Sequence, residues 1–333
     1  MPALPSSAIA LRSNDAFAAN AVHVLYGETM GTRWRVNVVA GKRADLARLH
    51  ALAQARLDAI VAQMSTWRPD SDICRYNRAD AGTWHELPQD FFDVLQCALR
   101  IADASDGAYD PTVGALVALW GFGADGGMRR VPDARKIDAA CERSGWRRVE
   151  LRAGSRSVLQ PGGVSLDLSA IAKGYGADAV ATALRGAGIA AALVEVGGEL
   201  YGYGRKPDGS AWRVLVETPD DDDTQAPCVL TLDDRAAATS GDRWHRFEHA
   251  GEVYAHTLDP RSGRPVARAA ASVTVVADDA MQADAWATAL TVMGIEAGHA
   301  FASAQGLAAR FLARTADGDD IRATPAFAAL VAA

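Results

Sequence analysis

The strand-forming runs of this 333-residue chain come in neighbouring pairs separated by helical stretches, with little regular β-α-β rhythm. Residues 22–40 alternate apolar and polar as two strand segments, with Gly27 and Gly31 as breaks. Strands are also expected at 191–196, 199–204 and 211–217, the last two joined by the turn residues Lys206-Pro207-Asp208-Gly209. Four more fall at 228–232, 236–240, 252–258 and 271–277, and a hairpin over 157–168 turns at Pro161-Gly162-Gly163. Helical spacing of apolar residues predicts helices over 45–64, 89–105, 132–144, 170–185 and 280–293. Residues 65–77 are polar, contain Pro69 and read as a loop; 107–127 read as irregular around one short helix; a short strand at 310–313 precedes a variable tail. Strands joined by short turns must run antiparallel, because a parallel neighbour needs a long crossover. The expected class is therefore α+β with largely antiparallel sheets and packed helices. No repeat or linker divides the chain, so 1–22 is read as a flexible Ala- and Ser-rich leader and 23–333 as a single domain with soft internal boundaries.

Composition narrows the function classes. The net charge of −7, without a basic arm or stripe, argues against a nucleic-acid partner. No apolar run reaches the length of a membrane span, so no transmembrane segment is expected. Cys74, Cys97, Cys141 and Cys228 are far apart, with no C-x-x-C, and read as free thiols. Gly121-Phe122-Gly123-Ala124-Asp125-Gly126 matches G-x-G-x-x-G, but no buried strand precedes it, and Gly127, Arg129, Arg130 and Pro132 follow instead of a helix. A dinucleotide fingerprint needs strand, turn and helix, so that reading fails. The acidic run Asp220–Asp223 reads as a solvated loop.

Proton-exchanging and charged groups gather in three stretches. Asp167 ends a strand just before a helix start at Ala170, where free backbone N–H groups can meet an anion. Lys173 follows one turn in, among small and apolar residues, either as a cation for that anion or as a surface lysine with its stem on the apolar face. His256 precedes the turn signal Asp259-Pro260-Arg261-Ser262-Gly263 and is the best general base in the chain; a satisfied core histidine is the other reading. His23, His50, His85 and His299 lack so constrained a setting, and His245 and His249 read as loop residues with no third zinc ligand. Asp284 and Thr288 share one face of an apolar helix. Asp284 is either a carboxylate at a helix N-terminus or, with Thr288, part of a hard-cation site of the kind Mg²⁺ takes.

With those residues in place, the chain resembles the ApbE-type FAD:protein FMN transferases from about Tyr26 to Leu312. The signatures run in order: Met30-Gly31-Thr32; Met64 to Ser71 with Asn77; Gly107-Ala108-Tyr109-Asp110-Pro111-Thr112; Leu119-Trp120-Gly121-Phe122-Gly123; Asp167 to Gly176; Val194-Glu195-Val196-Gly197-Gly198-Glu199; Ala238-Thr239-Ser240-Gly241; His256 to Gly263; and Asp284 to Thr288. The resemblance implies a T-fold-like α+β architecture elaborated into two lobes. It also implies Mg²⁺, FAD as donor and an acceptor protein, a redox-enzyme subunit, whose Ser or Thr receives FMN. Carried over by position, flavin contacts fall on Met30, Trp67, Ala108, Tyr109, Asp110, Asp167, Lys173 and Leu258, and the metal on the Ala170 carbonyl, Asp284 and Thr288. Trp67 stands where many relatives carry Tyr, and Ala287 where some carry a further carboxylate. Many relatives are lipoproteins anchored outside the cytoplasm; with no lipobox cysteine or clear signal peptide, this sequence reads as cytoplasmic.

The chemistry expected is attack by the acceptor hydroxyl on the phosphorus nearer riboflavin, with AMP leaving. His256 is the first choice of base and Asp284 the second; Lys173 adds positive charge or orients Asp167. Met30, Trp67 and Tyr109 would cover the rings. Two further readings stay open: a Mg²⁺-dependent FAD pyrophosphatase giving FMN and AMP, and a non-catalytic FAD-binding carrier. Self-flavinylation is disfavoured, because residues 233–239 carry Ala236-Ala237 where the family's acceptor segment needs a hydroxyl and a glycine.

Overall fold

The computed structural model describes residues 20–124, 131–216, 228–241, 246–249, 251–266, 272–315 and 318–331. Positions 1–19 of the expected leader, the acidic run at 220–223 and the end of the glycine-rich segment at 125–127 lie outside these. An eight-stranded sheet holds Ala21–Thr29, Thr32–Ala40, Ala192–Val196, Glu199–Tyr203, Arg235–Gly241, Ser272–Ala277, Ala308–Thr315 and Gly318–Ala323. Its order in space is its order along the chain, and every pairing is antiparallel. The α+β reading with antiparallel sheets therefore holds.

The expected helical faces are the ones that pack. Leu46–Met64 buries Leu49, Ala53, Leu57, Ile60 and Met64, one apolar stripe, and Asp45 caps it by accepting from the Arg48 N–H. With Ala172–Gly186 and Ala280–Met293 it covers one face of the large sheet, where Val36, Val38, Val194, Val196, Val273 and Val275 meet Leu57, Val180, Leu184 and Leu290. A second core joins Ile60 and Met64 to Phe91, Leu95 and Ile101 of the helix Gln89–Ala104. It also takes in Val158 of the small sheet made by Thr83–Glu86, Ser157–Gln160 and Leu151–Arg152. Met30 and Trp286 pack against both cores. Burying a large aliphatic or aromatic side chain contributes about 1.5–3 kcal/mol, so these two cores are the main source of stability.

Several expectations are corrected. Residues 65–77 are not all loop: Asp72–Asn77 is helical, with Ser71 accepting from the Cys74 N–H. The hairpin over 157–168 does not form. Only Ser157–Gln160 is a strand, and Ser165 instead bridges in parallel to Val113. The Gln160 side chain donates to the Val164 and Tyr76 carbonyls and accepts from the Gly162 N–H, satisfying groups that a hairpin ladder would have paired. Gly27 does not break its strand; a Cβ there would lie 2.6 Å from the Trp34 ring nitrogen, so glycine makes room for the indole. Ala21, placed in the leader, begins the first strand, one residue before the expected start at Val22. His249 lies not in a loop but in Arg246–His249, which pairs with Glu252–Ala255; His245 is outside the described residues. The strand expected at 252–258 splits, since Leu258–Asp259 pairs separately with Arg264–Pro265. The strand expected at 310–313 runs over Ala308–Thr315 and is preceded by a helix not expected from the sequence, Ile295–Ala304; the tail after it holds the strand Gly318–Ala323 and the helix Pro325–Val331. The four cysteines are free, with Cys74 and Cys97 buried.

Candidate active site

Two tight turns of the large sheet point at one place. Between Ala21–Thr29 and Thr32–Ala40, Met30 and Gly31 have φ of 50° and 70°. Two-residue hairpins favour positive φ at both central positions, but a methionine there is strained. The strain is held by packing, since the Met30 side chain lies between the two cores. Between Ala192–Val196 and Glu199–Tyr203, the corner is Gly197-Gly198. A Cβ on Gly197 would sit 2.8 Å from Thr32 Cγ2 and 3.2 Å from Lys173 Cδ, so only glycine lets both turns close on the lysine stem.

The third component is a helix contact. A Cβ at Gly174 would lie 2.1 Å from the Ala280 carbonyl oxygen and 2.9 Å from Asp284 Cβ. That closeness lets the Gly174 N–H, in the first turn of Ala172–Gly186, donate to Asp284 Oδ2 at 3.0 Å. Asp284 is 5% exposed. It is not the cap of its own helix: Asp279 is, and Asp178 accepts from the Ala280 and Met281 N–H groups at the same end. The helix-terminus reading is thus replaced by a buried carboxylate serving a neighbouring helix. Lys173 Nζ lies 3.7 Å from Asp284 Oδ1 and donates at close range to Glu199 Oε1. Glu199 is 2% exposed, and its other oxygen is buried without a hydrogen-bond partner among the described residues. Burial pushes the Asp284 carboxyl above the usual range, opposed by the Lys173 ammonium and the Gly174 N–H. Burial likewise raises Glu199 against the pull of Lys173. Burial alone would lower Lys173, but the two carboxylates outweigh it and hold the ammonium above the ordinary lysine value.

All of this lies on one cleft of about 1640 Å³. Every site residue expected from the sequence lines it, in three groups: Met30, Trp67, Ala108, Tyr109 and Asp110; Asp167, Ala170 and Lys173; and His256, Leu258, Asp284 and Thr288. Trp67 stands 65% exposed at the rim, free to cover a ring. Tyr109 is buried, its hydroxyl without a hydrogen-bond partner among the described residues; burial, with the Asp284 charge adding, raises its pKa well above the tyrosine range. The Asp110 carboxylate is already engaged by the Thr112 N–H and hydroxyl and by the Trp146 N–H, and burial still raises it. Asp167 accepts from the Ser169 N–H at 2.8 Å. Lys173 therefore turns to Glu199 and Asp284 and is not the group that orients Asp167. His256 sits edge-on to Phe122 at 6.5 Å between ring centroids. The turn after it is fixed by the Gly263 N–H donating to the Asp259 carbonyl and by Trp120 Nε1 donating to the Gly263 carbonyl.

The Ala170 carbonyl, Asp284 and Thr288 supply oxygen only, which suits a hard cation that takes its remaining ligands from water and phosphate. Among the described residues no three His, Cys, Asp or Glu side chains group as a metal site by themselves. Glu199 is the residue that sequence reasoning missed. Its signal was an acidic residue opening a strand straight after Gly-Gly.

The ApbE family model matches residues 30–311. The FAD:protein FMN transferase of Klebsiella pneumoniae (strain 342) is 36% identical over 313 residues, spanning 93% of this chain and 89% of that protein. Among solved structures, the apo flavinyl transferase ApbE of Pseudomonas stutzeri superposes with a TM-score of 0.87 at 37% identity, covering 94% of this chain and 98% of that one. The flavin transferase ApbE of Vibrio cholerae gives 0.86 at 33% identity, covering 93% and 99%.

Proposed function

The chain belongs to the ApbE family, and from that premise we propose that it is an FAD:protein FMN transferase, moving FMN from FAD to a Ser or Thr hydroxyl of an acceptor protein and releasing AMP. The acceptor is inferred to be a subunit of a redox enzyme. The observation that carries the reading is the cleft on which a buried carboxylate with a lysine 3.7 Å away, a histidine and an exposed aromatic rim converge.

The acceptor oxygen forms a bond to the phosphorus nearer riboflavin. The P–O bond to the adenylate phosphate breaks, and AMP leaves with the electron pair. His256 takes the hydroxyl proton, a contribution of about 10²–10⁴-fold for a well-placed base. Trp67 at the rim, with Met30 and Tyr109 in the wall, holds the planar rings; Ala108, Asp110 and Leu258 shape the floor, with Asp110 acting through its backbone because its carboxylate is occupied. Asp167 and the helix start after Ala170 face the phosphates, and Lys173 adds a positive charge there. Mg²⁺, held by the Ala170 carbonyl, Asp284 and Thr288, would supply charge neutralisation of the pyrophosphate.

The test is incubation of the protein with FAD, Mg²⁺ and a peptide bearing an acceptor Ser or Thr. A gain of the FMN mass with stoichiometric AMP is expected. FMN and AMP without modified peptide would make the protein a pyrophosphatase, and stable FAD binding without AMP would make it a carrier. Among the described residues no helix is long and apolar enough to cross a membrane.

A further inference from the structure

The Lys173 ammonium lies between two buried carboxylates, but not evenly. It is in close contact with Glu199 Oε1 and 3.7 Å from Asp284 Oδ1. The Gly174 N–H donates to Asp284 Oδ2, and Oδ1 is the oxygen on the lysine side, in a residue that lines the cleft. Glu199 Oε1 takes the Lys173 ammonium, while Oε2 is buried and has no hydrogen-bond partner among the described residues. A carboxylate buried at such cost, with half its acceptor capacity unused, calls for an explanation beyond packing.

We propose that Glu199 is a positioning residue that keeps the Lys173 ammonium off Asp284, so that Asp284 retains its negative charge for a divalent cation while the lysine stays within reach of the phosphates. The proposal rests on the reading of Asp284 as a cation ligand. The close contact with Glu199 fixes the ammonium on the Glu199 side and leaves it 3.7 Å from Asp284 Oδ1. Replace Glu199 by a neutral group, and Lys173 has a single carboxylate left to pair with. It then closes on Asp284 and competes with the cation for the same oxygen. The Gly197-Gly198 turn makes this arrangement rigid, because Glu199 opens its strand directly after a corner that packs on the Lys173 stem. Glu199 need not touch substrate; its effect passes through Lys173.

The test is Mg²⁺ titration of the purified full chain without FAD, read by calorimetry and by Mg²⁺-dependent rise in melting temperature. Asp284→Ala serves as the control for the site itself. If wild type does not bind Mg²⁺, or Asp284→Ala binds as wild type does, the cation-site reading fails and this proposal falls with it. Given a wild-type site that Asp284→Ala abolishes, Glu199→Gln is expected to weaken Mg²⁺ binding by roughly tenfold or more, within the usual range of coupling between sites. The double variant Glu199→Gln with Lys173→Met is expected to bind as tightly as wild type or more tightly, because the competing ammonium is gone. A purely structural glutamate would not be rescued by removing its lysine. Unchanged affinity in Glu199→Gln, or a double variant as weak as the single, overturns the proposal. Should Glu199→Gln not fold, the double variant alone decides: wild-type affinity or better supports the proposal, and a tenfold loss sinks it.

Discussion

Gly174→Ala tests whether the helix contact under the cleft builds the site. The added Cβ would stand 2.1 Å from the Ala280 carbonyl oxygen, a backbone atom that cannot swing away. Ordinary contact needs about 3.5 Å, so Ala172–Gly186 and Ala280–Met293 must part by on the order of 1 Å. That breaks the 3.0 Å bond from the Gly174 N–H to Asp284 Oδ2. Overpacking costs about 1–3 kcal/mol, and loss of a hydrogen bond to a charged group about 1.5–3 kcal/mol. Alanine returns about 1 kcal/mol as the better helix former. The net is about 1.5–5 kcal/mol, or roughly 2–7 °C in melting temperature for a chain of this length. A displacement of that size at the reacting groups costs on the order of 10²-fold in rate. Calorimetry and AMP release from FAD are the assays. Gly186→Ala is the control, in the same helix, where a Cβ meets nothing within 4 Å and stability should hold or rise. A Gly174→Ala protein that melts within about 1 °C of wild type and releases AMP at the wild-type rate would refute the reasoning.

Two other outcomes follow from the same geometry. His256→Asn should slow FMN transfer by about 10²-fold or more while FAD affinity stays near wild type, because proton removal matters in the transition state; joint loss of affinity and melting temperature would make His256 a packing residue. Asp178 is pushed by burial up to about 7, against the Ala280 and Met281 N–H groups, from an ordinary value of 3.8. Between those values the folded chain holds a proton that the unfolded chain has released, so this group makes stability fall as pH rises through that window. Asp178→Asn has no such proton to lose, and its melting temperature should decline less steeply than wild type from acid to neutral pH; equal slopes would remove Asp178 as the cause.

Much of this protein could be read from local pattern alone. The helix Ala280–Met293 has the bounds that periodicity predicts, and the helix expected over 45–64 starts one residue later, at Leu46, with Asp45 as its cap. The antiparallel class followed from short turns between strand runs, and the site residues from long ordered signatures that survive as sequence. These features depend on neighbours within a few positions, where spacing and turn chemistry dominate. What the tertiary structure decided is who meets whom. The expected hairpin after Ser157 is lost because Gln160 captures the turn's backbone groups. Lys173, one turn into its helix, could face solvent or an anion by sequence; the Gly197 corner and Glu199 turn it inward. By sequence Asp284 is open between a helix-end charge and a cation ligand; the hydrogen bond from Gly174, 110 positions earlier, removes the first. Glycine at those two contacts specifies nothing locally except the absence of a side chain. Its meaning appears only when another backbone or side chain fills the space, and burial then sets the charge balance of Lys173, Glu199 and Asp284.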